Sequence, residues 1–100
     1  MKYGKLVRDR IPDITRAKGR HPKTHVAGDE EYWEKLLKKL DEEVSEYKKS
    51  GDPEELADVL EVIKAICRFK GLSKREIETL RKKKAEERGG FEERIILDET

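Results

Sequence analysis

The sequence contains one cysteine, no asparagine and no glutamine, and it has no long apolar run. A single cysteine, Cys67, excludes an intrachain disulfide, which favours an intracellular protein. Because no segment resembles a signal peptide or a membrane span, we predict a cytoplasmic location without a membrane partner. A chain that lacks Asn and Gln and is dense in Lys, Glu and Arg is typical of thermophilic proteins.

Apolar residues are also scarce: they make up 34% of the 100 residues, whereas 47% are charged. The length predicts one domain over residues 1–100. Its small core predicts that folding is completed by burial against further copies, as a homodimer or homotetramer. The 24 basic and 23 acidic residues nearly cancel, to a net charge of +1, so nucleic acid is not predicted as a partner.

Helical periodicity predicts an all-α, antiparallel bundle. The first long helix is expected from residue 29 to about residue 49, and its apolar positions recur every three or four residues. The second begins after Asp52, with Pro53 in its first position and Glu55 where a capping box places its acid, and it runs to about residue 70. Its apolar face is broader, so this helix is predicted to be the more buried.

The remaining segments are expected to be shorter or more polar. Ser73 and Glu76 form a capping-box pattern that starts a third helix, which Gly89 and Gly90 end. A short helix is predicted over residues 12–17. Extended segments are predicted near residues 23–26 and at 91–97, and the second of these is β-prone enough to pair with the first as a strand.

Four carboxylates are predicted to meet where the two central helices join. Glu43 and Glu46 share one side of the first long helix, and Glu55 and Asp58 share one side of the second, since each pair is three residues apart. A tight turn makes these helices antiparallel, so both pairs face a common groove. Oxygen ligands favour Mg²⁺, with Mn²⁺ as the alternative.

Each acid also has an ordinary interpretation. Charge-rich helices often carry such pairs on solvated faces, and Glu55 could serve the helix cap instead. Asp58 lies a full turn inside its helix, where Asp is a poor helix former and has no capping role. Asp58 is therefore the strongest single candidate for a metal ligand.

Three motifs in order resemble those of the MazG-like nucleotide pyrophosphohydrolases, in a small single-domain branch. They are Glu42-Glu43-Val44-Ser45-Glu46 followed by Glu55-Leu56-Ala57-Asp58, the N-terminal Lys5-Leu6-Val7-Arg8-Asp9-Arg10-Ile11-Pro12, and Lys84 with Arg88-Gly89-Gly90-Phe91. This superfamily is all-α and oligomeric, and it includes phosphoribosyl-ATP pyrophosphohydrolase. The resemblance implies an enzyme that hydrolyses nucleoside triphosphates to a monophosphate and pyrophosphate with bound Mg²⁺.

Carried over by position, the resemblance assigns the metal to four acids and the substrate phosphates to five basic residues. The metal ligands would be Glu43, Glu46, Glu55 and Asp58, and the phosphate contacts Lys5, Arg8, Arg10, Lys84 and Arg88. It does not identify the residue that activates water. Only eight residues separate Glu46 from Glu55, a shorter connection than in MazG, which leaves the base and sugar of the substrate open.

Two alternatives to this function remain. One is the phosphoribosyl-ATP step of histidine biosynthesis, catalysed within the same superfamily. The other is a non-catalytic helical dimerisation module whose acids serve only solubility.

Overall fold

The computed structural model describes residues 4–100 and is all-helical in that part of the chain. The helices are α1 (Ile11–Ala17), α2 (Asp29–Ser50), α3 (Pro53–Phe69) and α4 (Lys74–Arg88). The predicted fold class is confirmed, and so is each predicted helix. None of the described helices combines the length and the apolar character that would let it cross a membrane.

The predicted β-strand is wrong. Among residues 4–100 no residue is in a strand, and residues 95–97 have no regular structure. Ile95, Ile96 and Leu97 are largely exposed. Strand propensity reflects packing and pairing with a neighbouring strand, and neither the segment near residue 26 nor any other described residue supplies one.

The turn between α2 and α3 consists of Gly51 and Asp52. Gly51 has a φ of 70°, and its N–H donates to the Tyr47 carbonyl at 2.8 Å, which ends α2. Asp52 occupies the cap position of α3, but its side chain makes no capping hydrogen bond. Its own N–H donates to Ser50 Oγ at 3.1 Å, so the predicted Asp52–Glu55 capping box is wrong. Glu55 therefore has no role at the cap.

Helices α2 and α3 form an antiparallel hairpin with a small core. Leu36 (1% exposed) and Val62 (8%) are its buried apolar residues among those described. At the end away from the turn, Trp33 stacks on Phe69 with ring centroids 5.6 Å apart, and Lys70 Nζ lies 4.2 Å from the Trp33 ring. Trp33 is half-buried and packs against Phe69 and Lys70 at this end of the hairpin.

The single chain leaves much of its apolar surface uncovered. Leu60 on α3 is 66% exposed, and Leu56 and Ile63 on the same helix are also exposed, so in the single chain α3 is not the more buried of the two long helices, contrary to the prediction. The chain exposes 9536 Å², whereas a compact monomer of this mass exposes about 5,900 Å². Its radius of gyration is 17.6 Å, against about 13 Å for a compact domain of this length. The large exposed area arises because, among residues 4–100, only α2 packs along the length of α3.

Candidate metal site and its basic surroundings

Three of the predicted carboxylates meet beside the turn of the hairpin, and we refer to them as the acidic group: Glu43, Glu55 and Asp58. Glu43 comes from α2, and the other two come from successive turns of α3. One carboxylate oxygen from each lies within 4.8 Å of the others. Two ligands on opposite sides of Mg²⁺ are about 4.2 Å apart, so small side-chain movements would bring these oxygens to one ion.

The acidic group lies partly inside the hairpin. Glu43 is 9% exposed, and Glu55 and Asp58 are half-buried. Desolvation raises the pKa of Glu55, and the negative charges of Asp58, Glu46 and Glu43 raise that pKa further. Ionisation of Glu55 is therefore disfavoured unless a cation is present.

Glu46 lies on the same flank but outside the acidic group. Its side chain is exposed, and its carboxylate is not among the three that converge. It remains near enough for its charge to contribute to the raised pKa of Glu55. A ligand role for Glu46 stays a prediction that requires a different rotamer or a water-mediated contact.

The N-terminal segment crosses the hairpin at the acidic group. Arg8 Nη2 donates to Asp58 Oδ1 at 2.7 Å, which ties the segment to α3. Lys5 Nζ donates to Glu42 Oε1 at 3.3 Å, which ties it to α2. Of the predicted phosphate-binding residues, Arg8 thus contacts the acidic group itself, and Lys5 contacts Glu42, the neighbour of Glu43 in the sequence. Arg8 pairs with Asp58 of α3 and not with Asp9, its neighbour in the sequence.

Lys39 is a residue of the site that sequence reasoning missed. Its Nζ lies 3.2 Å from Glu43 Oε1 and 3.4 Å from Glu42 Oε2, and its side chain is only 17% exposed. The available signal was its spacing, since Lys39 precedes these acids by three and four residues on one helix. Burial alone would raise the pKa of Glu42, but the hydrogen bond from Lys5 and the charges of Lys39 and Lys5 lower it.

The other predicted phosphate contacts are not brought together with the acidic group. Arg10 is exposed at the start of α1, and Lys84 and Arg88 are exposed on α4. Within residues 4–100 none of the three makes an ion pair with the acidic group. Helix α4 packs little against the hairpin. Its basic residues could reach an acidic group only if α4 moved or if a second copy of the chain supplied that group.

The chain was compared with known proteins. No family model matches it, and no solved structure matches it. A protein of Mycolicibacterium smegmatis, described only as an uncharacterized protein, is 58% identical to this chain over 41 residues. The alignment covers 41% of this chain, and the chain spans 42% of that relative's length. The description names no activity, so the resemblance to MazG-like enzymes stays a prediction.

Proposed function

We propose that the acidic group binds Mg²⁺, with Mn²⁺ as the alternative, and that the protein is a nucleoside triphosphate pyrophosphohydrolase of the MazG-like type. The main support is the convergence of three half-buried or buried carboxylates within 4.8 Å. Lys39 offsets the charge of Glu43, and Arg8 offsets that of Asp58. Glu55 has no such partner among the described residues, so the group retains one uncompensated negative charge that a cation would neutralise.

The surrounding cations fit a phosphate substrate. Arg8 presents a guanidinium suited to two phosphate oxygens, and Lys5 presents a point charge on the same N-terminal segment. When bound, Mg²⁺ would neutralise phosphate charge and orient the attacking water. Attack of water at phosphorus would break one phosphoanhydride bond and release pyrophosphate, leaving a nucleoside monophosphate. Arg10, Lys84 and Arg88 are further phosphate contacts in this proposal.

A homo-oligomer, either a dimer or a tetramer, is part of the proposal. The exposed area exceeds that of a compact monomer by about 60%. Helix α3 has an exposed apolar face, whereas the rest of the surface is rich in charge. This face consists of Leu56, Leu60 and Ile63. A second copy of the hairpin would cover this face and complete a four-helix bundle.

Metal binding is tested by calorimetric titration of the protein with Mg²⁺. Asp58→Asn and Glu55→Gln should abolish binding without unfolding the protein, whereas Glu61→Gln, an exposed position on α3, should leave it unchanged. If wild type and both site variants bind Mg²⁺ equally, the acidic group is not the metal site.

Activity is tested by following pyrophosphate release from a panel of nucleoside triphosphates with Mg²⁺. Phosphoribosyl-ATP belongs in the panel, because the alternative activity would act on that compound. Hydrolysis lost in Asp58→Asn and retained in Glu61→Gln supports the enzyme. A folded protein that neither binds Mg²⁺ nor hydrolyses any member of the panel would be the non-catalytic module instead.

A further inference from the structure

A basic depression lies on α2 beside the acidic group, and we call it the lysine pocket. Its volume is about 190 Å³, and its polar lining consists of Lys5, Lys35, Lys38, Lys39 and Glu42. Lys5 comes from the N-terminal segment, while the other four project from successive turns of α2. Four lysine side chains and one glutamate therefore line the depression, together with Gly4 and Leu6.

The four lysines are not equally compensated. Lys38 pairs with Glu34 at 3.1 Å, Lys39 pairs with two glutamates, and Lys5 donates to Glu42. Lys35 is half-buried and has no ion pair or hydrogen bond within residues 4–100. Lys35 thus carries a positive charge that no residue within 4–100 neutralises, so a bound anion would stabilise this arrangement.

We propose that the lysine pocket binds the outer two phosphoryl groups of a polyphosphate, the part that would leave as pyrophosphate. The volume corresponds to about six water molecules at liquid density, which is room for a diphosphate. Lysine donates three hydrogen bonds in rotatable directions, which suits an anion with many equivalent oxygens.

The position of the pocket defines the orientation of a bound nucleotide, and this orientation rests on the proposed function. Lys39 lines the pocket and also contacts Glu43 of the acidic group. A diphosphate in the pocket is therefore one side chain away from the metal site. The bond to be broken lies over the acidic group, and the nucleoside extends towards α3 and Arg8, away from α2.

The pocket is tested in the absence of metal, by calorimetric titration of the full chain with inorganic pyrophosphate in EDTA. Lys35→Gln keeps most of the side chain and removes the charge, and we expect it to weaken pyrophosphate binding about tenfold. The matched control is Lys83→Gln, which alters an exposed lysine on α4 without an ion pair within residues 4–100, and this variant should bind as wild type does. Circular dichroism establishes that both variants remain folded.

The outcomes separate this proposal from the proposed function. Pyrophosphate binding in EDTA that Lys35→Gln weakens and Lys83→Gln leaves intact supports the pocket, whatever Asp58→Asn does to Mg²⁺ binding. The proposal is overturned if wild type binds no pyrophosphate in EDTA, or if both lysine variants lose affinity equally, which would indicate general attraction to a basic surface. Loss of Mg²⁺ binding and hydrolysis in Asp58→Asn tests the acidic group alone.

Discussion

The Arg8 guanidinium lies 2.7 Å from the Asp58 carboxylate, although fifty positions separate the two residues in the sequence. This contact joins the N-terminal segment to the acidic group and places a cation where a metal ligand is proposed. A bound metal ion and Arg8 would compete for the same oxygen. Displacement of Arg8 from Asp58 would free its guanidinium for a substrate phosphate.

The first prediction follows from that competition. Arg8→Gln should tighten Mg²⁺ binding by up to about fivefold, since a partly exposed ion pair contributes up to about 1 kcal/mol. The same variant should lower kcat/KM for hydrolysis, because a phosphate contact is lost. Calorimetry and steady-state kinetics measure the two effects, with Arg20→Gln in the loop before α2 as the control. Weaker Mg²⁺ binding in Arg8→Gln would contradict the competition.

The second prediction concerns the pH dependence of stability without metal. Because its surroundings raise the pKa of Glu55 in the folded state, folding binds protons, and stability falls as pH rises through the folded pKa. Glu55→Gln removes this titration, so the variant should have the higher Tm at about pH 7 in EDTA. The part of this Tm difference that is due to titration should vanish below about pH 4, where Glu55 is protonated in both the folded and the unfolded state. An equal difference at both pH values would contradict this explanation; Glu61→Gln is the control.

The third prediction concerns assembly. Leu60→Glu places a charge in the middle of the exposed apolar face of α3 and should shift the protein towards a monomer, because a charge in a buried interface is costly. Val26→Glu alters an even more exposed apolar residue in a loop and should leave the assembly intact. Sedimentation or light scattering at several concentrations gives the mass. A wild-type protein that is already monomeric would remove the oligomer from the proposal.

The fourth prediction concerns the turn that sets the helices beside each other. Gly51 has a φ of 70°, and a Cβ at this position would meet nothing within 4 Å. The cost of Gly51→Ala is therefore conformational, about 1 kcal/mol for a left-handed alanine. Gly28 also has open space around it, but its φ is −78°, so Gly28→Ala should be close to neutral. Urea denaturation of both variants compares the two glycines, and equal destabilisation would contradict the conformational explanation.

Local signals in the sequence were sufficient for the helices and for most of the acidic group. Helical periodicity identified α2 and α3, and the i, i+3 spacing placed Glu55 with Asp58. The wrong predictions concern segments whose structure depends on which other residues they contact. Residues 95–97 have strand propensity, but residues 4–100 contain no strand with which they could pair. At the start of α3, the side chain of Ser50, and not that of Glu55, accepts the hydrogen bond from the Asp52 N–H.

The contacts of the N-terminal segment were also beyond local reasoning. The motif suggested that Lys5 and Arg8 bind phosphate. Residues in a loop have no helical periodicity, however, so the sequence did not predict which carboxylates they contact. The pairs Lys5–Glu42 and Arg8–Asp58 depend on the tertiary path of residues 4–10 across the hairpin.

That path has a consequence for how the molecule assembles. Helices α2 and α3 are neighbours in sequence and meet through a turn of two residues, so their pairing requires little loop closure. The contacts of Lys5 and Arg8 close loops of 37 and 50 residues, respectively. We therefore expect the hairpin to form early in folding, with its carboxylates still open to water, and the N-terminal segment to settle over them last.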